Sequence, residues 1–168
     1  GDVVIESFTT DVKVIAKDEK FLFNPSLIWV PFGARNPKDI QFWVGPTFEK
    51  HDVDFVHAEA TNIDPEHKRV TTTKGTWEYD YLVIATGPKL AFEEVEGLGP
   101  DGHTQSVCKT GHAETAYIDF KKLVEDPGPV VVGAAPMASC FGPAYEYLFI
   151  LDTELKKRKI RDKIDMHF

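Results

Sequence analysis

The chain has 168 residues, of which 42% are hydrophobic and 12% are aromatic, and this composition is typical of a folded protein rather than a disordered one. Its formal net charge of −8 at pH 7 argues against a general nucleic-acid binder, because such proteins need a basic face to displace counterions. We find no signal peptide and no apolar run of membrane-spanning length, so no transmembrane helix is expected. The two cysteines, Cys108 and Cys140, form no zinc-binding pattern, and no metal site is expected.

Short strands and turns are predicted through the first half of the chain. Apolar residues favour strands at 12–16 and 40–44, and Asn24-Pro25 is typical of a turn that starts a helix. A short helix is expected within 47–51. Three further strands are expected to form a meander, at 53–56, 70–73 and 77–79.

The second half of the chain is predicted to contain a strand, a crossing between domains, and two helices that are each followed by a short strand. Tyr81–Ala85 is an apolar run too short for a helix, and it predicts a buried central strand. The stretch that follows, 88–102, is rich in glycine and proline and suits a crossing between domains. Beyond it the spacing of apolar residues predicts helices over His112–Val124 and Tyr145–Lys157. Short apolar runs predict strands at 130–132 and 164–168.

The turn after Val132 has the layout of a nucleotide-binding crossover but not its glycines. A dinucleotide fingerprint has the form Gly-x-Gly-x-x-Gly, and only Gly133 keeps its place here. Ala135 and Ala138 occupy the other two positions, and Pro136 removes a backbone donor. Cys140 follows immediately. The sequence therefore predicts that this turn has been kept for another purpose than holding a nicotinamide dinucleotide.

A second motif, Tyr79-Asp-Tyr-Leu-Val-Ile-Ala-Thr-Gly87, ends an apolar run in small residues. Small residues let the backbone come close to a bound group. With the order of elements around it, the motif resembles the FAD domain of the pyridine nucleotide-disulfide oxidoreductases. The resemblance implies an α/β fold: an incomplete two-dinucleotide-domain, Rossmann-like flavoprotein with a β-meander insertion.

Four blocks narrow the resemblance to the sulfide:quinone oxidoreductases, over nearly the whole chain from about residue 12. They stand in that family's order, as Asn24-Pro-Ser-Leu-Ile-Trp29, Tyr81-Leu-Val-Ile-Ala-Thr-Gly-Pro-Lys-Leu90, Ser106-Val-Cys108 and Ala138-Ser-Cys-Phe-Gly-Pro-Ala-Tyr-Glu146. The last block is the most discriminating, because type II NADH dehydrogenases keep a glycine-rich fingerprint there without this cysteine. The family's activity is the FAD-dependent oxidation of sulfide to sulfur or polysulfide, with electrons passed to a membrane quinone.

The resemblance also implies catalytic residues. Cys140 matches one of two cysteines that work beside the flavin through a disulfide or sulfur-chain bridge, which sulfide attacks. Glu146 is the matching candidate for proton handling, and Cys108 matches a further cysteine that assists the reaction. Each has a simpler interpretation: a small buried hydrophobe for Cys140, an acid in an early helical turn for Glu146, and an inert loop thiol for Cys108. His112 could move protons, although a histidine at a helix start is often a surface residue.

The same resemblance implies cofactor-binding residues. Pro25 corresponds to the segment that approaches the isoalloxazine ring, and Thr86 and Gly87 correspond to a close backbone approach to FAD. All three could also be ordinary turn residues. The acid that binds the ribose is not cleanly present, because Lys17 occupies the nearest position; Asp18 follows it and is the candidate.

We interpret the chain as an internal fragment with two partial domains. Residues 1–96 are expected to form an FAD-binding domain that lacks its first strand and glycine loop. Residues 97–168 are expected to form a linker helix and the start of a second, NAD(P)-like domain that carries the cysteine. The family implies a peripheral membrane protein of prokaryotic type, attached through segments outside this chain, and it leaves homo-oligomerisation open. The 168 residues alone are expected to bind no FAD and to be inactive.

Two other functions are compatible with the sequence. A related flavoprotein, either a flavocytochrome c-type sulfide dehydrogenase or a type II NADH:quinone oxidoreductase, has the same fold and differs in the electron donor or acceptor. A chain that is no enzyme, such as a folded remnant or an interaction module, would bind no flavin. Cofactor use separates these alternatives.

Overall fold

The computed structural model describes residues 11–136, 138 and 141–168. These residues form two compact units. The first unit contains residues 11–21 and Phe42–Pro88, and the second contains Leu22–Gln41 and Lys89–Phe168. The polypeptide therefore enters the second unit after Phe21, returns to the first after Gln41, and leaves it again after Pro88. The predicted boundary between residues 96 and 97 remains a prediction.

The described residues form nine strands, three α-helices and four short 3₁₀ segments. The strands are β1 Lys13–Ala16, β2 Lys20–Leu22, β3 Gln41–Trp43, β4 Asp54–His57, β5 Ala60–Asp64, β6 Arg69–Thr72, β7 Gly75–Glu78, β8 Val130–Val131 and β9 Met166–His167. The α-helices are α1 Gly45–Lys50, α2 Thr110–Glu125 and α3 Gly142–Lys157, and the 3₁₀ segments are Asn24–Phe32, Pro37–Ile40, Phe92–Glu94 and Arg161–Lys163. The predicted strands at 12–16 and 40–44 and all three predicted helices are present, with ends that coincide or differ by up to three residues.

A parallel pair of strands organises the first unit. Strand β1 pairs with β4, and the register sets Lys13 opposite Asp54 and Ala16 opposite His57. The ladder continues one step further, because the Ala58 N–H donates to the Ala16 carbonyl oxygen at 3.0 Å. Both strands thus end at the same edge, and the turns that leave them lie side by side.

The predicted meander is present but has a different first strand. Strands β5, β6 and β7 form an antiparallel three-stranded sheet. The prediction that 53–56 belongs to it was wrong, since β4 pairs with β1 instead. Strand β5, with the sequence Ala-Thr-Asn-Ile-Asp, is mostly exposed, so it lacks the apolar alternation by which strands are recognised.

The prediction of a buried central strand at Tyr81–Ala85 was also wrong in this structure. The segment has no strand assignment, and Tyr81 and Val83 are 94% and 87% exposed. A strand needs a neighbour for its backbone groups, and none of the described strands pairs with this segment. The apolar character of this segment is typical of a strand, but it does not show which strand would pair with it.

The larger of two hydrophobic clusters among the described residues forms the centre of the second unit. Eight buried side chains contribute to it, from the 3₁₀ segment Asn24–Phe32, from α2 and α3 and from the turns around β8 and β9: Ile28, Phe32, Phe120, Val132, Ile150, Leu151, Leu155 and Ile164. Strands β8 and β9 pair in parallel, Val130 with Met166 and Val131 with His167. The predicted strands at 130–132 and 164–168 are thus present as a short pair, although Val131 itself is exposed.

The end of the 3₁₀ segment Asn24–Phe32 requires glycine. Gly33 has φ of +70° and closes the segment through hydrogen bonds from its N–H to the carbonyls of Trp29 and Val30. A Cβ at this position would lie 3.2 Å from Cε2 of Tyr117 in α2. Glycine therefore permits both the left-handed turn and the close packing of this segment on α2.

Candidate functional site

The turn between β1 and β2 carries Asp18, the predicted ribose-binding residue. It leaves the carboxyl edge of the parallel pair, where open α/β sheets bind ligands. The Asp18 side chain is exposed, and among the described residues it has no hydrogen-bond or ion-pair partner. The two charged residues beyond it are engaged: Lys20 Nζ lies over the Trp43 ring at 4.6 Å, and Glu19 faces a histidine.

That histidine, His57, is a residue that our sequence reasoning missed. Its Nε2 lies 2.9 Å from the Lys17 carbonyl oxygen, and its Nδ1 lies 3.2 Å from Glu19 Oε1. The ring also stacks on Phe55, with planes at 11°. No sequence motif marks it, because its place depends on the parallel register that sets the last residue of β4 beside the last residue of β1.

Thr86 and Gly87 follow the unpaired apolar run in the first unit, and both are exposed. Gly87 has φ of +74°, a conformation that favours glycine. No atom lies within 4 Å of the place that a Cβ would occupy. The backbone here is therefore open, and the predicted close approach of a bound group remains a prediction.

Pro25 begins the 3₁₀ segment Asn24–Phe32 in the second unit. It is exposed, whereas Leu27 and Ile28 directly after it are buried. The fixed φ of proline suits the first turn of a helix, where the missing N–H costs nothing. The buried residues anchor the segment and leave Pro25 accessible at its start.

Cys108 lies two residues before α2 and has an exposed thiol. Its N–H donates to Ser106 Oγ at 3.2 Å, which shapes the turn into the helix. His112, in the first turn of α2, packs on Phe92 with ring centroids 5.6 Å apart. Its Nδ1 is buried, and among the described residues it has no hydrogen-bond partner.

The helix predicted to follow Cys140 is α3, which begins at Gly142. Cys140 itself lies outside the described residues. Glu146 lies in the second turn of α3, and its side chain is exposed. Its neighbour Tyr147 packs on Phe32, with ring centroids 5.0 Å apart. Burial, with a smaller contribution from the charge of Asp119, raises the pKa of Tyr147 to about 12, so this hydroxyl remains protonated at physiological pH.

The basic residues at the end of α3 are neutralised locally. Lys156 pairs with Asp152 at 2.7 Å, Lys157 pairs with Glu154 at 2.7 Å, and Arg158 also contacts Glu154. These contacts indicate that the cluster is a solvated helix end, where cations also suit the helix dipole.

The described candidates fall into two groups. Asp18, Thr86 and Gly87 belong to the first unit, whereas Pro25, Cys108 and Glu146 belong to the second. None of the contacts that the structure describes joins two of these residues. Across the described ranges, no cluster of three or more His, Cys, Asp or Glu side chains could hold a metal ion. None of the described helices combines the length and apolarity needed to cross a bilayer.

The residues of the first unit fit a flavin dinucleotide. The Asp18 carboxylate is an acceptor suited to ribose hydroxyls, and it is exposed at the carboxyl edge of β1. Gly87 offers an open, left-handed backbone position. Asp18 thus offers a hydrogen-bond acceptor and Gly87 offers open backbone, and both features are compatible with such a ligand.

Known proteins with similar sequences and folds support the same family. The chain is 40% identical over 167 residues to a sulfide-quinone reductase of Aquifex aeolicus, covering 98% of this chain and 38% of that protein. It is 30% identical over 172 residues to a mitochondrial sulfide:quinone oxidoreductase of Dictyostelium discoideum, covering 94% and 36%. The crystal structure of the sulfide:quinone oxidoreductase from Aquifex aeolicus superposes with a TM-score of 0.84 and 42% identity, over 92% of this chain and 35% of that one.

The chain spans less than two fifths of the length of these relatives, and no protein-family model matches it. The sequence likeness nevertheless extends over almost all of the chain, and the fold comparison agrees with it. In sequence and in fold, the chain belongs to the sulfide:quinone oxidoreductase family, within the FAD-dependent pyridine nucleotide-disulfide oxidoreductases.

Proposed function

We propose that the protein carrying these 168 residues oxidises sulfide to sulfur or polysulfide and passes the electrons through FAD to a membrane quinone. The observation that carries the proposal is the 40% identity to a sulfide-quinone reductase over 98% of the chain. The matched region includes the segment in which a cysteine replaces the glycine-rich fingerprint.

The chain's own residues divide this work. Asp18, Thr86 and Gly87 hold the dinucleotide on the first unit, where their exposure and the open backbone at Gly87 favour binding. Pro25 contributes an accessible backbone to the ring end of the cofactor. A bound FAD supplies a two-electron acceptor that can be reoxidised by quinone.

Cys140 takes part in the sulfur chemistry. A hydrosulfide ion attacks one sulfur of a bridge that Cys140 forms with a second cysteine, a new S–S bond forms, and the other sulfur leaves as a thiolate. Glu146 handles a proton of the reaction, and the exposed Cys108 assists by sulfur exchange.

Anaerobic titration of the full-length protein tests the proposal. Sulfide is expected to bleach the flavin absorbance, added quinone is expected to restore it, and NADH is expected to have no effect. The Cys140→Ser variant should retain its flavin but lose bleaching by sulfide, whereas Cys108→Ser should keep most of it. Bleaching by sulfide in the Cys140→Ser variant would contradict the role of this residue.

The same titration separates the alternatives. Bleaching by NADH but not by sulfide would indicate a type II NADH:quinone oxidoreductase. Bleaching by sulfide with transfer to a cytochrome rather than to quinone would indicate a flavocytochrome c-type sulfide dehydrogenase. A protein without flavin absorbance would indicate a remnant or an interaction module.

We further propose that the full-length protein attaches peripherally to the membrane, since quinones are lipid-soluble. Segments outside these 168 residues would make the membrane contacts. Sedimentation with quinone-containing vesicles tests this attachment. Homo-oligomerisation is also compatible with the proposed function, and light scattering of the full-length protein measures it directly.

A further inference from the structure

His57 lies between two acceptors that both belong to the turn after β1. The Lys17 carbonyl oxygen is 2.9 Å from Nε2, and the Glu19 carboxylate is 3.2 Å from Nδ1. The two acceptors flank Asp18 in the sequence. One ring at the end of β4 therefore contacts the turn on both sides of its central residue.

The two contacts differ in kind. A carbonyl oxygen can only accept a hydrogen bond, so Nε2 of His57 donates to the Lys17 carbonyl oxygen. The Glu19 carboxylate lies near the other ring nitrogen, Nδ1.

We propose that His57 is a positioning residue that holds the Lys17–Glu19 turn so that Asp18 meets the ribose hydroxyls at the adenosine end of the flavin dinucleotide. This inference rests on the proposed function, because it assumes that the dinucleotide binds at the carboxyl edge of β1. It adds a residue from the neighbouring strand that does not touch the cofactor but fixes the residue that does.

The groups around the ring leave Asp18 accessible. Two carboxylates, Asp18 and Glu19, are adjacent in the turn, and the Glu19 carboxylate lies 3.2 Å from Nδ1 of His57. Lys17 contributes its carbonyl to the ring, Glu59 follows two residues after the ring, and Phe55 covers its face. Asp18 is then the acceptor in the turn that remains available to a ligand.

Backbone hydrogen bonds between the strands hold His57 and the Lys17–Glu19 turn in a fixed arrangement, which we call the clamp. The register holds Ala16 opposite His57, and the Ala58 N–H bonds to the Ala16 carbonyl, so the base of the turn and the base of the ring are fixed to each other. At its far end the turn is held by the bond from the Val44 N–H to the Glu19 carbonyl oxygen. Because both ends of the turn are held in this way, the contacts of His57 with the turn set the position of Asp18.

Hydrogen–deuterium exchange of the 168-residue chain tests the clamp without any cofactor. His57→Ala is expected to speed the exchange of amides in residues 17–20 by about tenfold, while the β5–β6–β7 sheet is unchanged and shows that the unit remains folded. The matched control is His51→Ala, which removes an exposed histidine of the same unit and should alter neither region. Unchanged exchange at 17–20 in His57→Ala would overturn the clamp.

Cofactor selectivity of the full-length protein tests the consequence. His57→Ala is expected to raise the Kd for FAD about tenfold and to leave the Kd for FMN, which lacks the adenosine, unchanged. Glu19→Gln should weaken FAD binding less than His57→Ala does. In a His57→Gln variant, adding Glu19→Gln should cause no further loss of FAD affinity, because position 19 then no longer carries a carboxylate without its partner. Equal weakening of FAD and FMN binding would reduce His57 to a structural residue and overturn the positioning role.

The two experiments fail in different ways. A full-length protein that binds no flavin would overturn the proposed function and the adenosine role together, while the exchange data would still report whether His57 holds the turn. If His57→Ala speeds amide exchange in the turn but the variant still binds FAD normally, the positioning role is overturned and the proposed function is unaffected.

Discussion

The rings of Phe32 and Phe120 pack edge to face, with centroids 5.1 Å apart and planes at 76°. Phe32 ends the 3₁₀ segment Asn24–Phe32, which carries Pro25 in its first turn, and Phe120 lies in the second half of α2. This arrangement is one of the favoured geometries of aromatic pairs. It joins the segment that carries Pro25 to the helix that follows Cys108.

Phe32→Ala is expected to destabilise the second unit by about 3–5 kcal/mol, because it removes a buried aromatic ring and leaves a cavity. Urea denaturation followed by tryptophan fluorescence measures the loss. The control is Phe149→Ala in α3, whose side chain is 65% exposed and whose removal should cost less than about 1 kcal/mol. A comparable loss for both variants would contradict the core described here.

A glycine in the 88–102 stretch is expected to resist substitution. A Cβ on Gly102 would lie 2.4 Å from the Gly97 carbonyl oxygen, so Gly102→Ala must displace backbone and should cost about 1–3 kcal/mol. Gly111→Ala, within α2 and with no atom near its Cβ position, should be neutral or stabilising by about 0.5–1 kcal/mol. Thermal unfolding of both variants gives the comparison, and equal melting temperatures would refute the crowding.

The end of α3 is expected to lose stability in acid. Hydrogen bonds from Lys156 and Arg161 hold the pKa of Asp152 below its ordinary value, and those from Lys157 and Arg158 do the same for Glu154. A pKa lowered in the folded state means that the unfolded state binds protons first, so this stability is present above about pH 4.5 and is lost as the pH falls further.

Asp152→Asn is expected to lower the melting temperature by about 1–3 °C at pH 7 and by less at pH 3, where the wild type has lost the same interactions. The control is Asp162→Asn, an exposed acid for which the described contacts give no partner. A deficit of Asp152→Asn that stayed constant from pH 7 to pH 3 would show that the carboxylate charge is not responsible.

The exposed thiol of Cys108 is expected to react with maleimide in the folded 168-residue chain. Cys108→Ser should remove this labelling without changing the melting temperature by more than about 1 °C, since surface substitutions cost little. Mass spectrometry after proteolysis identifies the modified cysteine. Protection of Cys108 from the reagent would contradict its exposure.

Periodicity identified the elements that bury an apolar face. The helices α2 and α3 carry buried residues at helical spacing, such as Ala113, Ala116 and Phe120, and this pattern is visible in the sequence. Strand β5 was missed because its side chains are exposed and polar. The pairing of β4 was assigned to the wrong sheet, since a short apolar run does not reveal which strand lies beside it.

The candidate site was predictable where a motif marked it and unpredictable where contact made it. The open backbone at Gly87 followed from the Ala-Thr-Gly motif. The role of His57 did not, because it depends on a parallel register between strands about forty residues apart. The roles of Cys140, Glu146 and Cys108 came from family resemblance, and they remain predictions.

The double crossing between the units limits how this protein can be divided. Residues Leu22–Gln41 belong with Lys89–Phe168, although Phe42–Pro88 lies between them in the sequence. A cut after residue 96 would leave the 3₁₀ segment and its buried Leu27, Ile28 and Phe32 without α2 and α3. The remaining piece would expose this apolar surface and is expected to aggregate. Neither unit can therefore be expressed or exchanged as one uninterrupted stretch of the chain.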